Sequence, residues 1–215
     1  MKNFQAYLFD MDGTLLANER LKGEALARTC NLYGANASCE QYKQVMGGSW
    51  EFVRHYFCEE NGITPAEEKF DAEFKEIYQE LLLTTVLEPT RGATAFLADL
   101  IKQNVKLALV SSASRWMVDT ILQKIFGKDA FDVIISKEDV TMHKPDPEAY
   151  LKALKRLDTA PKNALVFEDS SVGIQAGLRA GCTVVAIHHE FNIKQDLSQA
   201  AFGIHGFDEL VQDRE

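Results

Sequence analysis

In the second half of the chain, short unbroken apolar runs alternate with stretches in which apolar residues recur every three or four positions. The runs at 105–110 (VKLALV), 131–135 (FDVII), 164–167 (ALVF) and 183–187 (TVVAI) are rich in Val, Leu and Ile and end at polar residues. One more run, 5–9 (QAYLF), stands near the start and ends at Asp10. Such runs are what strands buried on both faces of a parallel sheet require. Between them Phe96, Leu97, Leu100 and Ile101, and then Met117, Ile121, Leu122 and Ile125, keep helical spacing. Strands alternating with helices predict an α/β fold, a Rossmann-like doubly wound parallel sheet.

The stretch from about 18 to 85 breaks the alternation and carries only helical stripes. These are Leu21, Ala25, Leu26 and Leu32, then Trp50, Val53 and Phe57, then Phe70, Phe74, Ile77, Tyr78 and Leu81. Gly34 and Gly62 are placed to stop helices, and Pro65 to sit in the first turn of the next one. The expected organisation is a catalytic core of residues 1–16 and 87–215 with an inserted helical cap at 17–86. The aromatic residues of the cap are expected to form its own small core.

Composition narrows the function classes. The 215 residues are 46% apolar and 26% charged, ordinary values for a folded protein of one domain with a modest insert. There are 32 acidic against 23 basic residues, a net charge of −9 with no basic run, which argues against nucleic-acid and membrane partners. No apolar stretch approaches the ~20 residues that cross a bilayer, and Met1 to Phe4 lack the apolar core of a secretion signal. A cytoplasmic chain is expected, and a monomer, since no long heptad stands out. Cys30, Cys39, Cys58 and Cys182 show no C-x-x-C spacing and are expected as free thiols. His188-His189 follows the run at 183–187, a place from which it could touch a ligand, but reads first as a loop pair without a role.

The candidate chemistry gathers where these strands end. Ligands of open parallel sheets bind beyond the carboxyl ends of the strands. Those ends carry Asp10 and Asp12, Ser111, and Glu168-Asp169, with Lys144 in the loop after the third core strand. Acids converging on one edge with a single lysine repel one another unless a divalent cation joins them, and all-oxygen ligands suit Mg2+. Asp10 and Asp12 stand at i and i+2 before Gly13, where the backbone must turn. One carboxylate serves as nucleophile and the other as general acid and base, which divides phosphoryl transfer into two steps. A lysine and a cation nearby hold the nucleophile ionised.

These residues also resemble a known family. D-M-D-G-T-L at 10–15, V-S-S at 110–112, H-K-P-D-P at 143–147 and F-E-D-S-S-V-G-I-Q-A-G at 167–177 are similar to the four motifs of the haloacid dehalogenase superfamily, in order. The helical insert after the first motif is similar to the cap of the branch that holds beta-phosphoglucomutase and phosphoglycolate phosphatase. The resemblance implies that Asp10 attacks phosphorus and that Asp12 protonates the leaving alcohol, activates water and lends its carbonyl to the metal. It implies phosphoryl binding by Ser111 and Lys144, with backbone N–H groups near Met11, Asp12 and Ser112. Asp169 and Glu168 complete the implied magnesium site with Asp10 and Asp12. Asp146 is expected to cap the helix behind Lys144 with Pro147 in its first turn, and Gly173 and Gly177 to pack a helix closely on the sheet.

Asp12 chooses among reactions. Dehalogenases and phosphonatases of the superfamily lack an acid there, so its presence favours a phosphate ester. The mutases carry a His where Lys22 stands and an arginine a few residues beyond Val45-Met46-Gly47-Gly48-Ser49, where Trp50-Glu51-Phe52 follow. The expectation is therefore a phosphatase of a small phosphorylated metabolite, such as a sugar phosphate or a phosphoglycolate-like ester. A sugar phosphomutase and a non-catalytic phosphometabolite-binding module are the alternatives. Lys22, Gly47, Gly48, Ser49 and Trp50 are the candidate specificity residues.

Overall fold

The computed structural model describes residues 4–127 and 129–210. The chain divides into two compact units: one holds the residues up to Ala17 and those from Glu88 onward, the other is Asn18–Leu87.

The first unit is built on a six-stranded parallel sheet. Its strands are β1 (Ala6–Phe9), β2 (Lys106–Val110), β3 (Val133–Ile135), β4 (Ala164–Glu168), β5 (Thr183–Ile187) and β6 (Phe202–Ile204), in the order β3-β2-β1-β4-β5-β6. This is the doubly wound α/β fold expected. The chain leaves β1 to one side for β2 and β3, then returns to its other side for β4, β5 and β6. That reversal opens a crevice at the carboxyl ends of β1 and β4. Phe9 pairs with Phe167, and the Asp10 N–H donates to the Phe167 carbonyl at 3.0 Å, so the residues just beyond the two strands are neighbours.

The two faces of the sheet are sorted by side-chain size, because alternate residues point to opposite faces. On one face Ala6, Leu8, Ala108, Val110, Ala164, Val166, Val184 and Ala186 pack against helices α6 and α7, given below, through Tyr150, Leu154, Ile174 and Ala176. On the other face lie the rings of Phe9 and Phe167, stacked at 5.0 Å, with Phe96 and Phe207 at 5.3 Å from one another and tilted across them. The small residues let two helices approach closely, and the aromatic rings fill the wider space opposite.

Seven α-helices lie among the described residues. α1 (Glu19–Asn31), α2 (Trp50–Glu60) and α3 (Glu67–Thr84) form the second unit. α4 (Ala93–Lys102), α5 (Arg115–Ile121), α6 (Glu148–Arg156) and α7 (Ser171–Arg179) flank the sheet, and a wide π-type turn, Leu122–Phe126, extends α5.

Several local expectations are corrected. Leu32 lies just past α1 and is exposed, as is Ile101 on α4, so neither belongs to a core face. Pro65 precedes α3, whose N-cap is Ala66. β6 has no counterpart in the sequence reading: it is three residues long, with Phe202 and Gly203 exposed, and its pattern is too short and too polar to register. Phe57, Phe70 and Tyr78 are fully buried within the helical unit, where Phe74 stacks on Tyr78 at 5.5 Å, as expected of a core of its own. All four cysteines are free. Among the described residues no helix is long and apolar enough to cross a membrane.

The helical unit also holds a clasp that periodicity does not reveal. Arg54 on α2 donates to both oxygens of Asp71 at 2.9 Å and to Glu67 at 2.5 Å, joining α2 to α3 with its own side chain nearly buried. Arg54→Ala leaves the exposed Glu67 and the part-exposed Asp71 without their shared cation. The substitution is expected to lower the unfolding free energy by about 1–3 kcal/mol, read from the urea midpoint. An unshifted midpoint would mean that the clasp contributes nothing net.

Candidate active site

Four segments at the carboxyl end of the sheet assemble the site. After β1 the chain makes a tight turn, with the N–H groups of Leu15 and Leu16 donating to the Met11 carbonyl at 3.0 Å and that of Gly13 to Leu16 at 2.8 Å. Gly13 has φ +75°, which disfavours any side chain. A Cβ there would stand 1.9 Å from Asp169 Oδ2. The turn thus needs a glycine twice, for its own backbone and for the carboxylate it lies against.

Lys144 comes from the loop that enters α6. Pro147 is itself the N-cap and not a first-turn residue, and Asp146 stands one place before the cap, its Oδ1 accepting the Glu148 N–H at 2.9 Å. Glu148 in turn receives the N–H groups of Thr141 and Met142, and Arg179 on α7 donates to the Pro145 carbonyl at 2.9 Å. The Lys144-Pro145 peptide is cis. The loop is therefore held on both sides of the lysine.

The ammonium of Lys144 is the centre of the site. Nζ donates to Asp10 Oδ1 at 2.6 Å, to Glu168 Oε1 at 2.6 Å and to the Val110 carbonyl at 3.0 Å, with only 6% of its side chain exposed. Its three N–H donors are all engaged. Burial works against its charge, but Asp10 and Glu168 outweigh that and hold its pKa above the usual value. The ring of Tyr150 lies 5.2 Å from Nζ, and its hydroxyl donates to Glu168 Oε1 at 2.7 Å. Burial and the Glu168 charge push the Tyr150 phenol well above its usual range, which keeps it a donor.

The carboxylates of Asp10, Glu168 and Asp169 form a buried cluster, with one oxygen of each within 4.8 Å of the others. Glu168 Oε2 also accepts from the Ser170 hydroxyl at 3.2 Å and the Asp169 N–H at 3.2 Å. Burial pushes the Asp10 carboxyl well above its ordinary value; Lys144 pulls it back, and Glu168 and Asp169 push it up again. Three acids facing one ammonium are under-compensated, and an all-oxygen set of this kind fits a hard divalent cation such as Mg2+.

The other expected residues are placed as follows. Ser111 is buried at the end of β2, where its Oγ accepts the Ala113 N–H at 3.0 Å, leaving its O–H to donate. Ser112 is exposed beside it. Asp12 lies in the turn, part-buried, and its carboxylate is not among the three clustered ones. Gly177 lies against Val184 and Val166 of the sheet, as expected, but Gly173 lies against Glu168: a Cβ there would meet all three carboxyl atoms at 2.0–2.1 Å.

In the helical unit, Ser49 caps α2 by accepting the Phe52 N–H at 3.2 Å, Trp50 packs on Phe74 at 4.5 Å, and Lys22 lies 5.9 Å from the ring centre of Tyr42. Gly47 takes φ +80°, and a Cβ on Gly48 would press on Phe52 at 2.7 Å.

One site neighbour escaped sequence reasoning. His189, expected to be without a role, places Nε2 2.9 Å from Asp169 Oδ2. The only signal for it was its position just beyond the end of β5.

Comparison with known proteins gives the family. Residues 7–187 match the model of the family described as haloacid dehalogenase-like hydrolase, and the chain belongs to that family. It is 30% identical over 199 residues to the phosphorylated carbohydrates phosphatase of Thermotoga maritima, covering 91% of each chain. It is 30% identical over 187 residues to hexitol phosphatase A of Escherichia coli, covering 86% of this chain and 83% of the relative. A variant of CbbY from Rhodobacter sphaeroides, solved in complex with xylulose-(1,5)bisphosphate, superposes with a TM-score of 0.85 at 25% identity over 96% of each chain.

Gly173→Ala tests how tightly the Glu168 carboxylate is confined. In an ordinary helix the change would stabilise by roughly 1 kcal/mol. Here the overlap with Glu168 is expected to reverse the sign, with a net loss of about 1–3 kcal/mol in denaturant unfolding. A gain would mean that Glu168 swings aside without cost.

Proposed function

We propose that this protein is a Mg2+-dependent phosphatase of a small phosphorylated carbohydrate or a related metabolite, acting through an aspartyl phosphate on Asp10. The chain is a phosphoric monoester hydrolase of its family. The observation that carries the reading is Asp10 itself: a buried carboxylate at the crevice between β1 and β4, bonded by Lys144 through Oδ1, with Asp12 two residues on. The two 30%-identical relatives, one named for phosphorylated carbohydrates and the other for hexitol, support the substrate class.

The steps follow from the residues. An oxygen of Asp10 attacks phosphorus, and the bond from phosphorus to the ester oxygen breaks. Asp12 gives its proton to that departing oxygen, so the alcohol leaves neutral. Asp12, now ionised, takes a proton from water, which attacks phosphorus and breaks its bond to Asp10. Phosphate leaves, and Asp10 and Asp12 return to their starting states.

Lys144 cannot add a fourth donor. Bonding of phosphorus to Asp10 removes the carboxylate charge, and the N–H that faced it turns to a phosphoryl oxygen. Ser111, with its oxygen already accepting from Ala113, gives its O–H to another. Asp10, Asp169 and Glu168, with the Asp12 carbonyl, are the groups that would hold the cation. When bound, Mg2+ supplies positive charge for the nucleophile and for the phosphoryl oxygens. Lys22 stands where a mutase of this branch carries a histidine, which favours hydrolysis over transfer back to a sugar.

Phosphate release from a panel of hexose, pentose and hexitol phosphates, with Mg2+ or EDTA, tests the proposal. Turnover of a few panel members is expected, abolished by EDTA and by Asp10→Asn. Asp12→Asn is expected to slow it by about 10²–10⁴-fold. Interconversion of hexose phosphates that requires a sugar bisphosphate would establish the mutase instead. No reaction, together with no Mg2+-dependent labelling by acetyl phosphate, would leave a binding module.

A further inference from the structure

The loop between β5 and β6 grips the β4–α7 turn at successive points. Asn192, 2% exposed, donates from Nδ2 to the carbonyls of Asp169 at 2.8 Å and Ile187 at 2.7 Å, and its Oδ1 accepts the His189 N–H at 3.0 Å. Gln195 Oε1 accepts the Ser171 N–H at 2.7 Å. These contacts fix main chain. The ring of His189 reaches a cluster carboxylate, with Nε2 2.9 Å from Asp169 Oδ2.

The other ring nitrogen defines what His189 does there. Nδ1 accepts the Phe191 N–H at 3.2 Å, so it carries no hydrogen, and the ring hydrogen lies on Nε2, directed at Asp169. The imidazole is thus a neutral donor with its tautomer set by the backbone. A neutral donor suits this place: it orients a carboxylate without the repulsion that a lysine or arginine would exert on a cation held by the same group. The hydrogen bond also runs beside Gly13, where a Cβ would stand 1.9 Å from Asp169 Oδ2 and 2.9 Å from His189 Nε2. The nucleophile turn therefore closes against this bond.

We infer that His189 is a positioning residue that fixes the orientation of the Asp169 carboxylate for a divalent cation, with the β5–β6 loop as its support. The inference rests on the metal reading given above and adds to it a residue outside the four motifs. Its hydrogen bond sets one Asp169 oxygen, and the rotation of the carboxylate then sets the direction of the other.

The test is Mg2+ binding by isothermal titration calorimetry to the full chain without substrate, comparing wild type with His189→Gln and His189→Met. These two side chains are similar in length and differ in having a donor. His189→Met is expected to weaken Mg2+ binding about 10-fold or more, and His189→Gln to recover most of the loss. The Mg2+ concentration for half-maximal turnover should rise in the same order. Unfolding midpoints in EDTA check that both variants fold, and His189→Asn against His189→Leu repeats the comparison should either fail. Equal Mg2+ affinity in wild type and His189→Met overturns the inference while leaving the metal reading intact. Equal weakening in both variants overturns the donor role. No Mg2+ binding to wild type overturns the metal reading itself, and this inference with it.

Discussion

A single buried ammonium ties this site together. Lys144 joins the end of β1 through Asp10, the end of β2 through the Val110 carbonyl and the end of β4 through Glu168. Removing two carboxylates and an ammonium from water costs several kcal/mol per ion, offset only where hydrogen-bond geometry is good. Here the geometry is provided from outside the pair. Arg179 and Glu148 hold the loop, Tyr150 backs both the ammonium and Glu168, and Ser170 takes the remaining Glu168 oxygen. The sheet brings three strand ends together, and the lysine makes their convergence tolerable.

Strand parity explains why these groups meet. Ala6 and Leu8 face α6 and α7, and so do Ala164 and Val166. Asp10 and Glu168 continue those two series by one step of two, on adjacent strands in register at Phe9 and Phe167. The loop that carries Lys144 runs straight into α6, which packs on that same face and contributes Tyr150. The fold thus sets the ion pair before any detail of the loops is considered. Asp169 has the opposite parity, and it meets His189 rather than the lysine.

Much of this was legible in the sequence. Five strands end at or beside the polar residues that close short apolar runs, because two-sided burial disfavours polar side chains within a strand. The same positions, Asp10, Ser111 and Glu168-Asp169, make up the candidate site. What stayed hidden depends on groups that neither period nor spacing encodes. β6 is an edge strand of three residues with two of them exposed, so burial does not mark it. The Arg54 clasp joins charges 13 and 17 residues apart that look like ordinary solvated helix residues. His189 acts through a ring nitrogen whose direction is set by a backbone N–H of its own loop. Gly173 reads as a helix-packing glycine, and only the coordinates reveal that its neighbour is a carboxylate.

Glu168 and Asp169 are adjacent acids, and the sequence treats them alike, yet their surroundings assign them different work. Glu168 is 1% exposed and accepts from Lys144, Tyr150, Ser170 and two backbone N–H groups. A carboxylate with that many donors is fixed in place and strongly committed to the protein. Its foremost effect is on Lys144, whose charge it shares with Asp10. In the proposed mechanism the bond from phosphorus to Asp10 would cancel that charge while Glu168 still anchors the ammonium, so the lysine would need only to redirect one N–H and not move. Asp169, oriented from the opposite side by a neutral ring, is the better placed of the two to contribute an oxygen to a cation. The neighbouring acids thereby divide the electrostatics of the site: Glu168 is committed foremost to the lysine, and Asp169 is the one turned more toward the proposed cation.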